Sequence, residues 1–237
     1  MRTPRKRRSA WCDRASVLAT FWVVALAVDP TPAPGQSPAL EQAPADWLLT
    51  GEDADRYELI QDTEVVRSGS ASKRISAKGN RRRNDWAVSV QMVDATRFRG
   101  QRIRLSGHLR SDDLGSGGLW LRVDGIVDQT AAQIVIDNTE DRRLEGTSDW
   151  TVQDIVVDIP AESVTILFGA MIVGDGTLWV DDLSLEEVSM DAQVTVEGDP
   201  VELGGEYSRP PGVLPTPSNL DFERGSGTDE MSAGAGR

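Results

Sequence analysis

Two adjacent carboxylates, Asp181 and Asp182, stand in the segment "GTLWVDDLSLEEV" near the end of the patterned part of the chain. Successive side chains on a strand point to opposite faces, so the pair cannot act together as two catalytic acids. The alternation places Asp181 with the inward leucines, where hydrogen bonds or a metal must satisfy it, and places Asp182 outward. The pattern therefore favours a structural Asp in a closing strand over a metal ligand, and both over an active site.

A second set of side chains could bind a ligand, because each lies opposite the aliphatic residues of its own run. These residues are Gln91, Arg104, His108, Trp120, Arg122 and Asp137. An exposed indole can cover the apolar face of a sugar ring while neighbouring polar groups bind its hydroxyls. The alternative is that Trp120 fills a second small core and that His108 is an ordinary surface residue. A buried Trp120 would contradict the sugar-platform interpretation.

Motifs that support catalysis are missing. The chain has no G-x-S-x-G elbow, no H-E-x-x-H, no phosphate loop and no glycine-rich dinucleotide fingerprint. A Ser-His-Asp arrangement would require His108, which is the only histidine, and no serine stands in a strained elbow. We therefore predict that the protein is not an enzyme, although a pair of carboxylates for weak glycoside hydrolysis remains the third hypothesis.

The elements that carry these residues alternate between apolar and polar positions. In "RIRLSGHLR" and "GLWLRVDG" every second residue is aliphatic, and similar short runs recur between turn residues from about Trp47 to Val188. Alternation at this spacing is typical of an antiparallel β-sandwich or barrel. We predict an all-β domain of eight to ten strands over 47–188, with a jelly-roll architecture.

The N-terminal segment predicts export. Basic residues precede an uninterrupted apolar run over 15–28, which suits a signal peptide and is short for a bilayer span of about 20 residues. An uncleaved N-terminal anchor is the alternative and would be the protein's only membrane contact. Cleavage near the "ALA" at 25–27 would remove Cys12, the only cysteine. Residues 29–46 are rich in Pro and Ala and read as a linker.

Charge and composition limit the partners. The net charge of −13 argues against a nucleic-acid partner, because a surface that binds phosphates should be basic. Residues 189–237 are polar, rich in Pro and Gly, and offer little from which to build a core. We therefore predict a disordered C-terminal tail.

Motifs in a consistent order carry a family resemblance. "FRGQRIRLSGHLRSD", "SDWTVQDIVVDIP" and "GTLWVDDLSLEEV" follow an opening segment with Trp47 and a later Gly-x-x-Ser. The region resembles the galactose-binding-like β-sandwich domains, which include carbohydrate-binding modules of secreted bacterial enzymes. The resemblance implies a carbohydrate ligand. It also implies a structural calcium ion, held by a Glu of the first strand and an Asp of the closing motif, here Glu41 and Asp181; no other cofactor is expected.

One departure from that family concerns its usual opening strand, Asn-Leu-x-Phe-Glu. The expected place holds only Leu40 and Glu41, whereas a better copy, "SNLDFERG", stands at 218–225. This copy is either the start of a truncated second module or a chance match.

Taken together, these observations predict an exported, non-catalytic binding module, with a carbohydrate as the first candidate ligand. The alternative is a structural or protein-interaction module of the cell envelope, left from a larger secreted enzyme. The sequence leaves the oligomeric state open.

Overall fold

The computed structural model describes residues 43–79, 83–196 and 200–225. Its strands are β1 (Leu48–Thr50), β2 (Tyr57–Asp62), β3 (Ser72–Ala77), β4 (Trp86–Asp94), β5 (Arg102–Val127), β6 (Thr130–Asp137), β7 (Leu144–Asp158), β8 (Ser163–Val173), β9 (Thr177–Val188) and β10 (Val201–Glu202). Two 3-10 turns, Ala54–Arg56 and Thr96–Phe98, complete the regular elements, and no α-helix occurs in the described ranges. All strand pairs are antiparallel, which confirms the predicted all-β class.

The long strand β5 joins two sheets. Its first half pairs with β7 and β9, and its second half pairs with β8 and β6. We call β6–β5–β8–β4–β1 the front sheet, with β10 added beyond β6, and β7–β5–β9–β3–β2 the back sheet. Two sheets joined in this way enclose one core, which is the arrangement of a β-sandwich.

Glycines mark the point where β5 passes from one sheet to the other. The pairing with β7 shifts register three times between Leu109 and Gly117. A Cβ on Gly117 would stand 2.8 Å from the carbonyl oxygen of Met171, and one on Gly118 would overlap the hydroxyl of Thr139. Only glycine fits such close approaches of the backbone, so the bend depends on these residues.

The core lies between the sheets and follows the predicted alternation. Odd-numbered residues of β5 are buried in it: Ile103, Leu105, Leu109, Leu119, Leu121 and Val123. They pack with the inward residues of β8 and β9, such as Phe168 and Val180. The sequence pattern therefore predicted correctly which side chains of these strands face inward.

The C-terminal segment corrects the prediction of a coreless tail. Phe222 is fully buried in the core, with its ring centroid 5.3 Å from that of Trp47. Residue Gly225 forms an antiparallel bridge with Pro44, and the backbone nitrogen of Leu183 donates to the carbonyl oxygen of Leu220. The Asn-Leu-x-Phe-Glu copy at 218–225 is therefore part of this sandwich, not the start of a second module. The Pro- and Gly-rich sequence around this segment gave no indication that it packs in the core.

Several sequence predictions fall outside the described residues. These are the signal segment over 1–28, the part of the predicted linker over 29–42, and Glu41. The last residues of that linker, 43–46, belong to the sandwich instead, since Ala43 and Ala45 are buried. Within the described part of the chain, no helix is long and apolar enough to cross a membrane.

Candidate functional site

The predicted ligand residues do not share one surface. Arg104 and His108 lie on the first half of β5, in the back sheet, whereas Trp120 and Arg122 lie on its second half, in the front sheet. All four point away from the core, but the bend in β5 turns them to opposite outer faces of the sandwich. The single polar face predicted from alternation is therefore wrong, because alternation distinguishes inside from outside and not one outer face from the other.

Gln91 and Asp137 are buried and already bonded. The side-chain amide of Gln91 donates to the carbonyl oxygen of Ser218 at 2.8 Å and accepts from its nitrogen at 2.9 Å, so it holds the C-terminal segment. The carboxylate of Asp137 accepts from Thr139, Thr195 and the guanidinium of Arg142 at 2.7–2.8 Å. Neither residue is arranged for ligand binding. The aliphatic register of β4, with Val88 and Val90, faces outward in the structure, and the sequence misplaced Gln91 because that register was taken as the inner one.

His108 belongs to a polar cluster on the back sheet. Its Nδ1 lies 3.8 Å from a carboxylate oxygen of Asp182, which also accepts from Arg67 at 2.7 Å and from the hydroxyl of Ser68. The hydrogen bonds within this cluster connect β9 to the segment that precedes β3. Nδ1 of His108 is itself buried and has no hydrogen-bond partner among the described residues, so it contributes no hydrogen bond to the cluster.

Trp120 is not an open platform. Only 5% of the residue is exposed, and it forms a small cluster with Val88 and Val90. The predicted sugar-platform role of Trp120 is therefore wrong, and the second small core proposed as the alternative is what the structure contains. Beside it, Arg122 and Asp124 form a buried ion pair at 2.6 Å. Burial raises the pKa of the Asp124 carboxyl, and the positive charge of Arg122 opposes that shift.

The cluster around Trp120 is the floor of a broader apolar surface on the outside of the front sheet. Cross-strand pairs place Val88 beside Met171, Val90 beside Gly169 and Met92 beside Leu167. We define the front-face floor as Val88, Val90, Met92, Trp120, Leu167 and Met171. Of these residues, Met92, Leu167 and Met171 are half-buried. The floor therefore runs across three neighbouring strands.

A chain segment, the strap (residues 203–214), borders one end of this floor. The hydroxyl of Tyr207 lies 2.6 Å from that of Thr165, and Arg209 forms an ion pair with Asp94 at 2.9 Å. The backbone nitrogen of Leu214 donates to the carbonyl oxygen of Met92 at 2.9 Å. The strap therefore passes from the β6 edge to the β4 edge.

The loop between β6 and β7 borders the other end. Nη2 of Arg143 lies 3.5 Å from the sulfur of Met171, and its Nε donates to the carbonyl oxygen of Asn138 at 3.1 Å. Thr165 and Met171 are six residues apart in β8, which at about 3.3 Å per residue separates the two borders by about 20 Å. Beyond Met171, the half-buried Trp86 pairs with Val173 at the end of β4. The floor, its two borders and Trp86 form the candidate binding site.

The sequence missed Trp86, Arg143 and Tyr207. Trp86 was given a packing role because core packing is the default for a tryptophan with mixed neighbours, and Tyr207 fell in the predicted tail. Arg143 lies in a long polar loop, "DNTEDRRLEGTSDW", whose length was a signal that binding residues could lie there.

The closing-strand carboxylates lie where the alternation of β9 is interrupted, because Val180 and Leu183 both pack in the core. Asp181 is fully buried and Asp182 is half-buried, and both carboxylates accept hydrogen bonds from the segment before β3 instead of pointing to opposite faces. The buried carboxylate accepts from the backbone nitrogens of Arg67, Ser68 and Asp182 at 2.8–3.2 Å. Burial raises the pKa of Asp181, and these hydrogen bonds counteract that shift.

Glu223 takes the place that the sequence assigned to Glu41. It is the Glu of the Asn-Leu-x-Phe-Glu segment, and it accepts from the backbone nitrogens of Ser70 and Ala71 and from the Ser70 hydroxyl. These hydrogen bonds lower the pKa of Glu223. Because Ca²⁺ takes six to eight oxygen ligands, carboxylates surrounded by N–H donors do not fit that ion. No cluster of three or more His, Cys, Asp or Glu side chains occurs among the described residues.

No family model matches the chain. It is 31% identical over 185 residues to a protein of Bacillus subtilis (strain 168) named an uncharacterized HTH-type transcriptional regulator, YbfP. The match covers 78% of this chain, and the chain spans 58% of the length of that relative. Because 185 residues far exceed those outside the described ranges, the shared part includes much of the β-sandwich.

Solved structures similar to the chain include carbohydrate-binding modules. A family 22 module of Clostridium thermocellum Xyn10B has a TM-score of 0.43 at 12% identity, covering 63% of this chain and 89% of the module. The CBM22-1 xylan-binding domain of Paenibacillus barcinonensis Xyn10C has the same score and identity, covering 63% and 90%. The enzymatically active domain of bacteriophage CBA120 tailspike protein 4 scores 0.46 at 11%, covering 63% and 20%. Likenesses of this size assign no function.

Proposed function

We propose that this protein is an exported, non-catalytic binding module that holds a carbohydrate against the outer face of its front sheet. The observation that carries the proposal is the front-face floor, whose half-buried residues Met92, Leu167 and Met171 lie between two polar chain segments about 20 Å apart. An apolar surface with a few polar groups at its margins is the usual composition of a ligand site.

Trp86 is the side chain best placed to contact a sugar ring. It is half-buried at the end of β4, on the same outer face as Val88. An indole in this position offers an apolar face, while the Arg143 guanidinium and the Tyr207 hydroxyl supply polar groups at the two borders. Trp120 contributes as the buried support of the floor.

The placement of the acids supports a non-catalytic role. Among the described residues, the two carboxyls whose pKa values are raised by burial are Asp124 and Asp181. Asp124 lies on the outer face of the front sheet, and Asp181 lies in β9 of the back sheet. General acid and base residues must reach the same bond, and these two lie in different sheets.

We do not propose DNA binding for this chain on the basis of the relative's name. A helix-turn-helix needs two α-helices, and the described residues contain none. The net charge of −13 is also unsuited to a phosphate surface. The chain matches 58% of the length of YbfP, so the shared region occurs there beside further sequence.

Affinity electrophoresis and tryptophan-fluorescence titration against neutral and acidic polysaccharides test the proposal. The Trp86→Ala variant is expected to lose between about fivefold and a hundredfold in affinity, the effect of removing an aromatic ring on which a nucleic-acid base stacks, on the order of 1–3 kcal/mol. Trp150→Ala is the matched control, since Trp150 is also half-buried but lies in β7 of the back sheet. A folded wild-type protein that binds none of the polysaccharides would contradict the proposal.

A second candidate function, self-association through the β6–β10 edge, is favoured by one specific observation. Four aliphatic residues there are 37–48% exposed: Ile126, Ile136, Val201 and Leu203. Contiguous exposed apolar side chains are typical of protein-interaction surfaces. Sedimentation velocity over a range of concentrations tests this candidate, with Leu203→Ser expected to weaken any dimer; a monomer at every concentration would exclude it.

A further inference from the structure

Arg143 is a half-buried cation at the border of the candidate site. Two of its groups have contacts: Nε donates to the carbonyl oxygen of Asn138, and Nη2 lies against the sulfur of Met171. A guanidinium has five N–H donors, so these two contacts leave most of its hydrogen-bonding capacity unused. The apolar floor begins directly beside it.

The other arginines of this surface are neutralised by acids. Arg122 pairs with Asp124, Arg209 pairs with Asp94, and Arg142 pairs with both Asp137 and Asp141. Within the described part of the chain, no carboxylate lies within 4.0 Å of the Arg143 guanidinium. Burial lowers the pKa of Arg143, and the charge of Glu140 only partly opposes that shift.

An unpaired, partly desolvated charge is costly unless a partner of opposite sign completes it. The protein carries thirteen more acids than bases, so an arginine without an acid is unexpected in this surface. A carboxylate is the partner whose geometry matches a guanidinium, because it can accept two parallel hydrogen bonds.

On the basis of the proposed function, we infer that the glycan carries a uronic acid and that Arg143 binds its carboxylate beside Met171. Arg143 then determines the specificity of the site, while Trp86 and the floor contact the sugar rings. Because the protein is acidic and repels closely spaced carboxylates, we expect Arg143 to recognise polymers whose uronic acids are widely spaced along the chain. The repulsion between the protein and a distant acid is screened within about 8 Å at physiological salt.

The test compares one polymer in two chemical forms. Wild-type full-length protein is titrated calorimetrically with glucuronoxylan and with the same glucuronoxylan after reduction of its carboxyl groups. We expect the native polymer to bind about ten- to hundredfold more tightly, as a charge-assisted hydrogen bond to a partly buried group predicts. The Arg143→Gln variant should bind both forms with the weaker affinity.

Arg110→Gln is the matched control, because Arg110 lies on the outer face of the back sheet with a long 3.9 Å contact to Asp149. It should retain the preference for the native polymer. Equal binding of both forms by the wild-type protein would overturn the inference about Arg143 and leave the proposed function standing. Binding of neither form, nor of any polysaccharide in the panel that tests the proposed function, would overturn both. If Arg143→Gln fails to fold in a thermal melt, the wild-type comparison of the two polymers still decides.

Discussion

The side-chain nitrogen of Lys73 lies 3.5 Å from the centroid of the Trp47 ring, inside the core of the sandwich. Lys73 is fully buried and is also 4.8 Å from the centroid of the Phe222 ring. Its nitrogen has no hydrogen-bond partner among the described residues. Burial lowers the pKa of this amine well below its ordinary value, so the folded state favours the neutral form.

Replacing this amine should stabilise the protein. Lys73→Met keeps the length of the side chain and removes an unsatisfied polar group, so we expect the free energy of unfolding to rise by about 1–3 kcal/mol at pH 7. Urea unfolding measures the change. Lys78→Met is the matched control, since Lys78 is exposed just after β3, and should leave stability unchanged. A destabilised Lys73→Met protein would show that the amine has a partner in solution.

The same residue predicts how stability depends on pH. The unfolded chain takes up a proton at Lys73 as the pH falls through about 10.5, whereas the folded protein does not until its lowered pKa is reached. In that window the unfolding free energy should fall with decreasing pH by up to about 1.4 kcal/mol per unit. Unfolding measured from pH 7 to 10.5 should show this slope in the wild-type protein and a reduced slope in Lys73→Met. Identical slopes would contradict the assignment.

The C-terminal segment should be essential for stability. Phe222→Ala removes a fully buried ring that packs on Trp47, and a cost of about 3–5 kcal/mol is expected. Thermal and urea unfolding provide the measurement, with Leu203→Ala as an exposed control in the strap. If Phe222→Ala unfolds at the wild-type urea midpoint, residues 218–225 are not part of the core.

The hydrogen bonds to the Asp181 carboxylate should keep the loop before β3 in its position without a calcium ion. Asp181→Asn cannot accept all three backbone N–H groups that the carboxylate accepts, and a loss of about 1–3 kcal/mol is expected. The wild-type Tm should be the same in EDTA and in millimolar calcium. A Tm that rises with calcium concentration would instead reveal an ion that binds the folded state.

Substitutions of Trp120 and Trp86 should differ in their effects, with the first mainly lowering stability and the second mainly lowering polysaccharide affinity. Trp120→Ala removes a buried ring from the front-face floor, and a loss of about 3–5 kcal/mol of unfolding free energy is expected. Trp86 is half-buried, so Trp86→Ala should cost less stability and more polysaccharide affinity. Comparing unfolding midpoints with binding constants for both variants checks this assignment. The opposite ranking would place the ligand on Trp120.

The alternation of single strands was the most informative feature of the sequence. It identified Leu119 and Leu121 as inward residues and Trp120 and Arg122 as outward ones. This succeeds because the side-chain period of a strand is a local property of the backbone. It did not succeed in β4, where the aliphatic register of Val88 and Val90 faces outward and Gln91 faces the core.

Local pattern says nothing about which distant segments meet. His108 and Trp120 have the same parity in one strand, yet the bend near Gly117 turns them to opposite faces of the sandwich. Phe222 stands in a Pro- and Gly-rich stretch, yet it completes the core beside Trp47 because the strap returns the chain across the front sheet. Trp86, Arg143 and Tyr207 gain a common surface only through the pairing of β4, β8 and β5.

The sequence by itself therefore determined the all-β class, the inward and outward sides of most strands and the acidic character of the protein. These follow from side-chain type and a two-residue period. The tertiary structure alone decided that Glu223 holds the loop before β3, that Lys73 is enclosed with Trp47, and that Arg143 borders the floor without an acid. Each of these depends on contacts between residues far apart in the chain, which no local period encodes.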